Sequence, residues 1–161
     1  MNAIEVENLT KTYGTTIAVD CISLNVKRGE VFGMLGRNGA GKTTTIECLI
    51  GLREYDKGFV KVLGLNPQKE QKTLFSRVGV QFQEASFQDK IRVCEICKLF
   101  ESFYKNPYSY KILLDRFDLS DKTNSFVNNL SGGQRQRLSI ILALISNPEL
   151  VFLDELTTGL D

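Results

Sequence analysis

The stretch GRNGAGKTTT, which begins at Gly36, is the part of the sequence best suited to chemistry. Gly36, Gly41, Lys42 and Thr43 match the pattern G-x-x-x-x-G-K-[ST], and an apolar run at 31–35 precedes them. Such a loop lets backbone N–H groups converge on phosphate oxygens, and the helix that follows adds positive potential. We expect a nucleotide site, with Lys42 at the β and γ phosphates and Thr43 on Mg²⁺. The alternative is a plain glycine turn, and the motif alone leaves kinases, GTPases and ATPases open.

Two adjacent carboxylates follow the apolar run at 150–153. A strand here would deliver Asp154 and Glu155 at its carboxyl end, the edge where ligands bind in open α/β sheets. We expect Asp154 to hold the Mg²⁺ shell and Glu155 to polarise an attacking water, which favours hydrolysis over transfer to another substrate. The alternative is a strand that ends in a solvated acidic turn.

A second anion-binding helix start is predicted at LSGGQ, residues 130–134. Ser131 is a natural N-cap, and Gly132 and Gly133 expose backbone N–H groups before a helix that begins near Arg135. One nucleotide does not need two such cradles far apart in one chain. At this motif the chain resembles the nucleotide-binding domains of ABC ATPases, whose signature motif reads LSGGQ.

The resemblance implies a head-to-tail dimer in which the signature motif of one subunit contacts the γ-phosphate of ATP held by the other. It also implies roles for three residues: Tyr13 in KTYG stacks on adenine, Gln83 in VQFQE senses Mg²⁺ and water, and Asp161 in TTGLD lies in a loop that crosses to the partner. Leu156 departs from the family pattern, which usually has proline or alanine there, and we expect this change to be tolerated.

With ATP and Mg²⁺ as cofactors, the expected site has three groups of residues. Catalytic roles fall to Glu155, Lys42 and Gln83, and metal contacts to Thr43, Gln83 and Asp154. Nucleotide contacts fall to Tyr13, Gly36, Arg37, Asn38, Gly39, Ala40, Gly41, Lys42, Thr43, Thr44, Ser131, Gly132, Gly133, Gln134 and Asp161.

The elements that must position these residues alternate between strand and helix patterns. The resemblance implies an α/β fold of the P-loop NTPase type, with a RecA-like core, an N-terminal antiparallel β subdomain and an inserted α-helical subdomain. We expect one domain over 1–161, made of a β subdomain and phosphate-loop core (1–83), a helical subdomain with the signature (84–145), and the Asp/Glu strand with the crossing loop (146–161). Hydrophobic periodicity predicts strands at 31–35, 59–63, 77–82 and 150–153, and helices at 42–50 and 134–145.

The amino-acid composition gives little reason to expect certain classes of binding partner. The 20 basic and 19 acidic residues nearly balance, so nothing calls for nucleic acid or an anionic membrane surface. No secretion signal and no apolar run of membrane-spanning length is present, which predicts a cytoplasmic protein. The four cysteines include one pair, Cys94 and Cys97, at CxxC spacing, but there is no histidine and no second close pair. We expect buried or half-buried thiols and no zinc site.

Within the family, the motifs are most similar to ATPases of bacterial exporters, including those for drugs, antibiotics and peptides. We expect a motor subunit on the inner face of the cell membrane, docked to a transmembrane permease subunit through 84–130 and coupled by Gln83. A soluble ABC ATPase acting on ribosomes or DNA, and a P-loop kinase, are the alternatives.

Family members continue for about sixty residues or more, so a truncated chain with a gap in its sheet and without ATPase activity is also expected. The substrate, the direction of transport and the choice between homodimer and heterodimer are not readable from these residues.

Overall fold

The computed structural model describes residues 1–81 and 90–154. The chain divides into two compact units, Met1–Phe75 and Ser76–Asp161. Antiparallel strands build the first unit, and helices packed on one another dominate the second. This mixed α/β architecture, with an antiparallel β portion ahead of a helical portion, is the fold class that the sequence predicts.

A three-stranded antiparallel sheet forms the frame of the first unit. Its central strand β1 (Asn2–Tyr13) pairs with β2 (Thr16–Lys27) on one side and β3 (Lys57–Val62) on the other. Apolar residues alternate along the strands, as expected for a sheet with one covered face. The buried side chains of this sheet are Ala3, Ile4, Val6, Leu9, Val19, Val26, Val60 and Val62.

A bulge interrupts that alternation near the middle of β1. Asn8 has a positive φ of 51°, and the pairing with β2 changes register between Val6 and Leu9. The backbone N–H of Asn8 donates to the Ser23 hydroxyl at 2.9 Å instead of continuing the ladder. One extra residue in a strand exchanges its two faces, so Leu9 is buried where strict alternation would bury Asn8.

Helix α1 (Lys42–Leu49) begins immediately after the glycine-rich loop. Ile50 is its C-cap, and Gly51, with φ of 76°, ends it in the left-handed conformation that favours glycine. The helix predicted over 42–50 is therefore confirmed to within one residue. A short helix, α2 (Gln71–Phe75), closes the unit, and the side-chain amide of Gln71 donates to the Gly51 carbonyl at 2.6 Å.

The prediction of a strand at 31–35 is wrong. These residues have no regular secondary structure, and Val31 and Leu35 are 99% and 96% exposed. An apolar run predicts a buried strand only if other strands satisfy its backbone groups on both sides. Within 1–81 and 90–154 no strand pairs with this run, so its backbone groups form no strand hydrogen bonds there.

The second unit contains a pair of parallel strands. β4 (Val78–Gln81) pairs with β5 (Leu150–Leu153), with Gln81 opposite Leu153. Helix α5 (Gly132–Ile145) packs on β4 so closely that a Cβ on Gly79 would lie 2.2 Å from the Ala143 carbonyl oxygen. The predicted strand at 150–153 is confirmed, and the one predicted at 77–82 is confirmed at Val78–Gln81, with Arg77 in the preceding turn.

The helical part of the second unit has its own apolar core. Helices α3 (Val93–Glu101) and α4 (Tyr110–Arg116) pack with α5, and 3₁₀ turns at Ser120–Lys122 and Val127–Asn129 connect α4 to α5. Pro107 lies between α3 and α4, where a proline does not interrupt a helix interior. The core consists of Val93, Ile96, Cys97, Tyr110, Leu113, Leu114, Leu119, Val127, Leu130, Leu138, Ile141, Leu142 and Ile145.

Candidate nucleotide-binding site

The glycine-rich loop turns directly into the N-terminus of α1. Gly41, the N-cap residue, has φ of 83°, and Gly39 has φ of 80°. A Cβ on Gly41 would lie 2.1 Å from the carbonyl oxygen of Ala18 on β2, so both the backbone angle and the close approach require glycine. No acidic residue lies in the first turn of α1, which leaves its positive end available to an anion.

Lys42, the first residue of α1, folds its side chain back across the loop. Its ammonium donates to the carbonyl oxygens of Gly36 at 2.8 Å and Arg37 at 3.0 Å. An ammonium has three donors and no acceptor, so these contacts hold a positive charge over the loop backbone. The same donors suit phosphate oxygens, which are stronger acceptors than neutral carbonyls.

The threonines after Lys42 differ in their surroundings. The side chain of Thr43 is exposed, that of Thr44 is half-buried and that of Thr45 is buried. The Thr45 hydroxyl donates to the Gly41 carbonyl at 2.8 Å, so it is committed to the first turn of the helix. Thr43 is therefore the most accessible hydroxyl beside the loop, as its assignment to Mg²⁺ requires.

Tyr13 ends β1 in the same unit as the loop, and two cations lie against its ring. The Lys11 ammonium and the Arg53 guanidinium carbon are each 5.4 Å from the ring centroid. Tyr13 remains 42% exposed as a residue, which leaves part of its surface open to a further contact. The arrangement leaves room for the expected stacking of Tyr13 on a base, which stays a prediction.

Asp56 fixes the end of β1 next to Tyr13. Its carboxylate accepts from the backbone N–H and the hydroxyl of Thr12, both at 2.6 Å, and from the Lys11 ammonium at 3.2 Å. These donors, led by the Thr12 hydroxyl, lower the pKa of Asp56 to about 2, because hydrogen bonds to the ionised form favour it. Asp56 is therefore ionised over the whole physiological range.

In the second unit, β4 and β5 bring Gln81 and Asp154 to one edge. The backbone N–H of Asp154 donates to the Gln81 carbonyl at 3.2 Å, and Asp154 is buried. This is the carboxyl edge of the parallel pair, where the sequence predicts the metal-binding carboxylate. Gln83, Glu155 and Asp161 lie outside the described residues, so their assigned roles stay predictions.

The signature segment forms the start of α5, with Ser131 as its N-cap, as predicted. The Ser131 hydroxyl accepts from the Gln134 backbone N–H at 3.3 Å, and the Ser131 backbone N–H donates to the Gln134 side-chain oxygen at 2.9 Å. This reciprocal capping box also assigns a structural role to Gln134, which the S-x-x-Q spacing could have predicted. The Ser131 hydroxyl acts as an acceptor here, so its own hydrogen can be donated to an anion.

The two glycines of the signature have no packing reason to be glycine within the described chain. Neither Gly132 nor Gly133 has a positive φ, and a Cβ on either would meet no described atom within 4 Å. Glycine inside a helix costs about 0.5–1 kcal/mol relative to alanine. Close approach of an external group to the α5 backbone would account for both.

The cysteines follow the prediction with one correction. Cys48 and Cys97 are buried, Cys94 is half-buried, and burial raises the pKa of Cys48 to about 11 and that of Cys97 to about 12. Cys21 is exposed, contrary to expectation, because the β1 bulge lies beside it and its own φ is 49°. Among the described residues, no group of three His, Cys, Asp or Glu side chains is arranged to hold a metal.

The sequence reasoning missed the residues around Tyr13. Lys11, Asp56 and Arg53 lie in different segments, and no spacing pattern connects them. Glu47 is a fourth member, because its carboxylate accepts from the Arg53 guanidinium at 2.6 Å. Only the return of the chain after α1 toward the end of β1 brings these side chains together.

Comparison with known proteins assigns these features to a family. A family model described as ABC transporter matches residues 19–158. The bacitracin transport ATP-binding protein BcrA of Bacillus licheniformis is 38% identical over 162 residues, 98% of this chain and 52% of the relative. The Nod factor export ATP-binding protein I of Sinorhizobium fredii is 37% identical (99% and 48%), and the methionine import ATP-binding protein MetN of Clostridium tetani is 35% identical (98% and 52%).

Solved structures agree with this assignment. The dimeric structure of MJ0796, a bacterial ABC transporter cassette, has 29% identity and a TM-score of 0.83, covering 98% of this chain and 76% of that one. The chain spans about half the length of the curated relatives it matches. Within 1–81 and 90–154, no helix combines the length and apolarity needed to cross a bilayer.

Proposed function

Since the chain belongs to the ABC transporter family, as an ATP-binding domain, we propose that it binds and hydrolyses ATP to power export through a separate membrane-spanning subunit. The observation that carries this proposal is the loop in front of α1. A left-handed glycine N-cap, an ammonium held over the loop and an N-terminus without acidic residues together fit a polyphosphate. A Cβ at Gly41 would lie 2.1 Å from the Ala18 carbonyl oxygen, so glycine is required for this loop to pass so close to β2.

The residues of the chain then have distinct roles. When the nucleotide binds, the Lys42 ammonium donates to phosphate oxygens instead of the carbonyl oxygens of Gly36 and Arg37. Its positive charge then offsets the negative charge of the phosphates. The Thr43 hydroxyl and the Asp154 carboxylate are the oxygen donors that Mg²⁺ prefers. When bound, Mg·ATP supplies the phosphoanhydride bond that is broken and part of the charge neutralisation. Glu155 accepts a proton from the attacking water, and Gln83 orients that water.

A second copy of an ATPase subunit completes the site in this proposal. At the α5 N-terminus, Ser131 and the two glycines, which have no described neighbour within 4 Å of a Cβ, contact the γ-phosphate bound by the other subunit. Asp161 belongs to the loop that crosses to that subunit. The dimeric structure of a similar cassette supports the presence of a second subunit. The subunits would lie on the cytoplasmic face of the membrane, attached through the permease subunit. Export is supported by the Nod factor relative, although the methionine import relative is nearly as similar.

The proposal is tested with Lys42→Ala. This variant should lower the affinity for Mg·ATP at least tenfold, since it removes a charge that contacts two phosphates. Titration with a fluorescent ATP analogue measures the affinity, and Lys69→Ala, an exposed lysine of the same unit, is the matched control. In cells, Lys42→Ala should cause retention of an exported compound. Unchanged affinity would contradict the nucleotide site, and loss of nutrient uptake would contradict export.

A further inference from the structure

The side chain of Tyr13 is restrained by two cations that are themselves restrained. Lys11 and Arg53 each lie 5.4 Å from the ring centroid, within the range of cation–π attraction. Lys11 is held by the Asp56 carboxylate at 3.2 Å, and Arg53 by the Glu47 carboxylate at 2.6 Å. Each cation thus bridges an acidic residue and the aromatic ring.

The Arg53 bridge reaches the helix that follows the phosphate loop. Glu47 belongs to α1, the helix that begins at Lys42. Besides the side-chain pair, the Arg53 backbone N–H donates to the Glu47 carbonyl at 3.2 Å, so the arginine is fixed at both ends. The hydrogen bond to Glu47 is also the main cause that raises the pKa of Arg53. A charge-assisted bond of this kind holds the planar guanidinium in one orientation.

We propose that Arg53 is a positioning residue for base recognition, which connects α1 to Tyr13 and holds the aromatic ring ready for the adenine of ATP. The inference rests on the proposed function, in which Tyr13 stacks on the base. A ring whose rotamer is already restrained loses less conformational freedom when it binds, so it binds more tightly. The Tyr13 ring on β1 is thus connected, through Arg53 and Glu47, to the helix that begins with the phosphate-binding Lys42.

The test separates base contacts from phosphate contacts. Arg53→Ala should weaken binding of Mg·ATP by about three- to tenfold, the range expected for one ordered side chain, while leaving the affinity for inorganic tripolyphosphate unchanged. Arg53→Lys, which keeps the charge, should restore part of the loss. Both affinities are measured by calorimetry on the same samples, so a folding defect would appear in both titrations.

A matched control exists on the same sheet. Lys61 lies 5.3 Å from the ring centroid of Phe59 on β3, which is the same type of contact away from Tyr13. Lys61→Ala should change neither affinity. In a Tyr13→Ala background, Arg53→Ala should have no further effect on ATP binding, because residues that act through one another are not additive.

Three outcomes would overturn the inference. Equal losses for ATP and tripolyphosphate would mean that Arg53 supports the fold or the phosphate loop and does not act through the ring. An unchanged ATP affinity in Arg53→Ala, together with a loss in Tyr13→Ala, would reject the role of Arg53 while the role of Tyr13 stands. An unchanged affinity in both variants would reject base stacking by Tyr13 itself.

Discussion

Single side chains decide how the end of β1 is held. The Asp56 carboxylate joins the Thr12 backbone, the Thr12 hydroxyl and the Lys11 ammonium. Because Thr12 precedes Tyr13 and Lys11 contacts its ring, one exposed carboxylate fixes both the main chain and one side chain of the region assigned to the base. The charge of Asp56 is needed for this, since a protonated carboxyl is a weaker acceptor.

Stability should therefore depend on the ionisation of Asp56. Its pKa falls from 3.8 to about 2 on folding, so its contribution is complete above the unfolded value and is lost as the pH falls through the folded value. We expect the difference in denaturation midpoint between the protein and Asp56→Asn to shrink as the pH falls from about 4 to about 2. A difference that stays constant across this window would show that the charge of Asp56 makes no contribution.

At the scale of elements, the beginning of α5 combines a firm cap with an open backbone. Ser131 and Gln134 satisfy each other's backbone N–H groups, whereas Gly132 and Gly133 have no described neighbour that excludes a side chain. A helix optimised only for stability would place alanine at these two positions. The glycines are thus explained by the proposed approach of nucleotide to the helix, and not by the fold of the described chain.

The variant Gly133→Ala distinguishes the effect of this glycine on helix stability from its proposed role in nucleotide contact. The variant should be as stable as the parent or up to about 1 kcal/mol more stable, since it removes backbone freedom from the unfolded chain without a clash. Its ATP-dependent self-association should fall at least tenfold, because the methyl group blocks the close approach of phosphate. Chemical denaturation and analytical ultracentrifugation measure the two properties. Association at the parental level would argue against an external contact at this glycine.

For the whole molecule, we expect ATP hydrolysis to separate the two subunits of the proposed head-to-tail dimer. Glu155→Gln should bind ATP normally but hydrolyse it at least about a hundredfold more slowly, as expected for loss of a general base. Because hydrolysis separates the subunits in this proposal, ATP should trap this variant as a dimer that light scattering detects. Lys42→Ala combined with Glu155→Gln should stay monomeric, because it cannot hold the nucleotide. A Glu155→Gln protein that remains monomeric in saturating ATP would contradict the head-to-tail mechanism.

Local patterns were sufficient for much of the candidate site. The loop between Gly36 and Gly41, the Ser131 cap and the strand before Asp154 were all predicted correctly from neighbouring residues. Glycine angles, helix caps and short apolar runs are determined within a few residues, so one segment carries the necessary information. The roles of Gln83, Glu155 and Asp161 remain predictions, because these residues lie outside the described ranges.

The sequence by itself determined the phosphate loop and its helix, since glycine backbone angles and a helix start depend on adjacent residues alone. Tertiary structure decided which apolar runs became strands: 150–153 found β4 as a parallel partner, whereas 31–35, equally apolar, has no partner in the described chain and is not a strand. It also decided that Arg53 lies against Tyr13. The physical reason is that strand pairing and side-chain clustering join residues distant in the chain, and no periodicity within one segment encodes the partner.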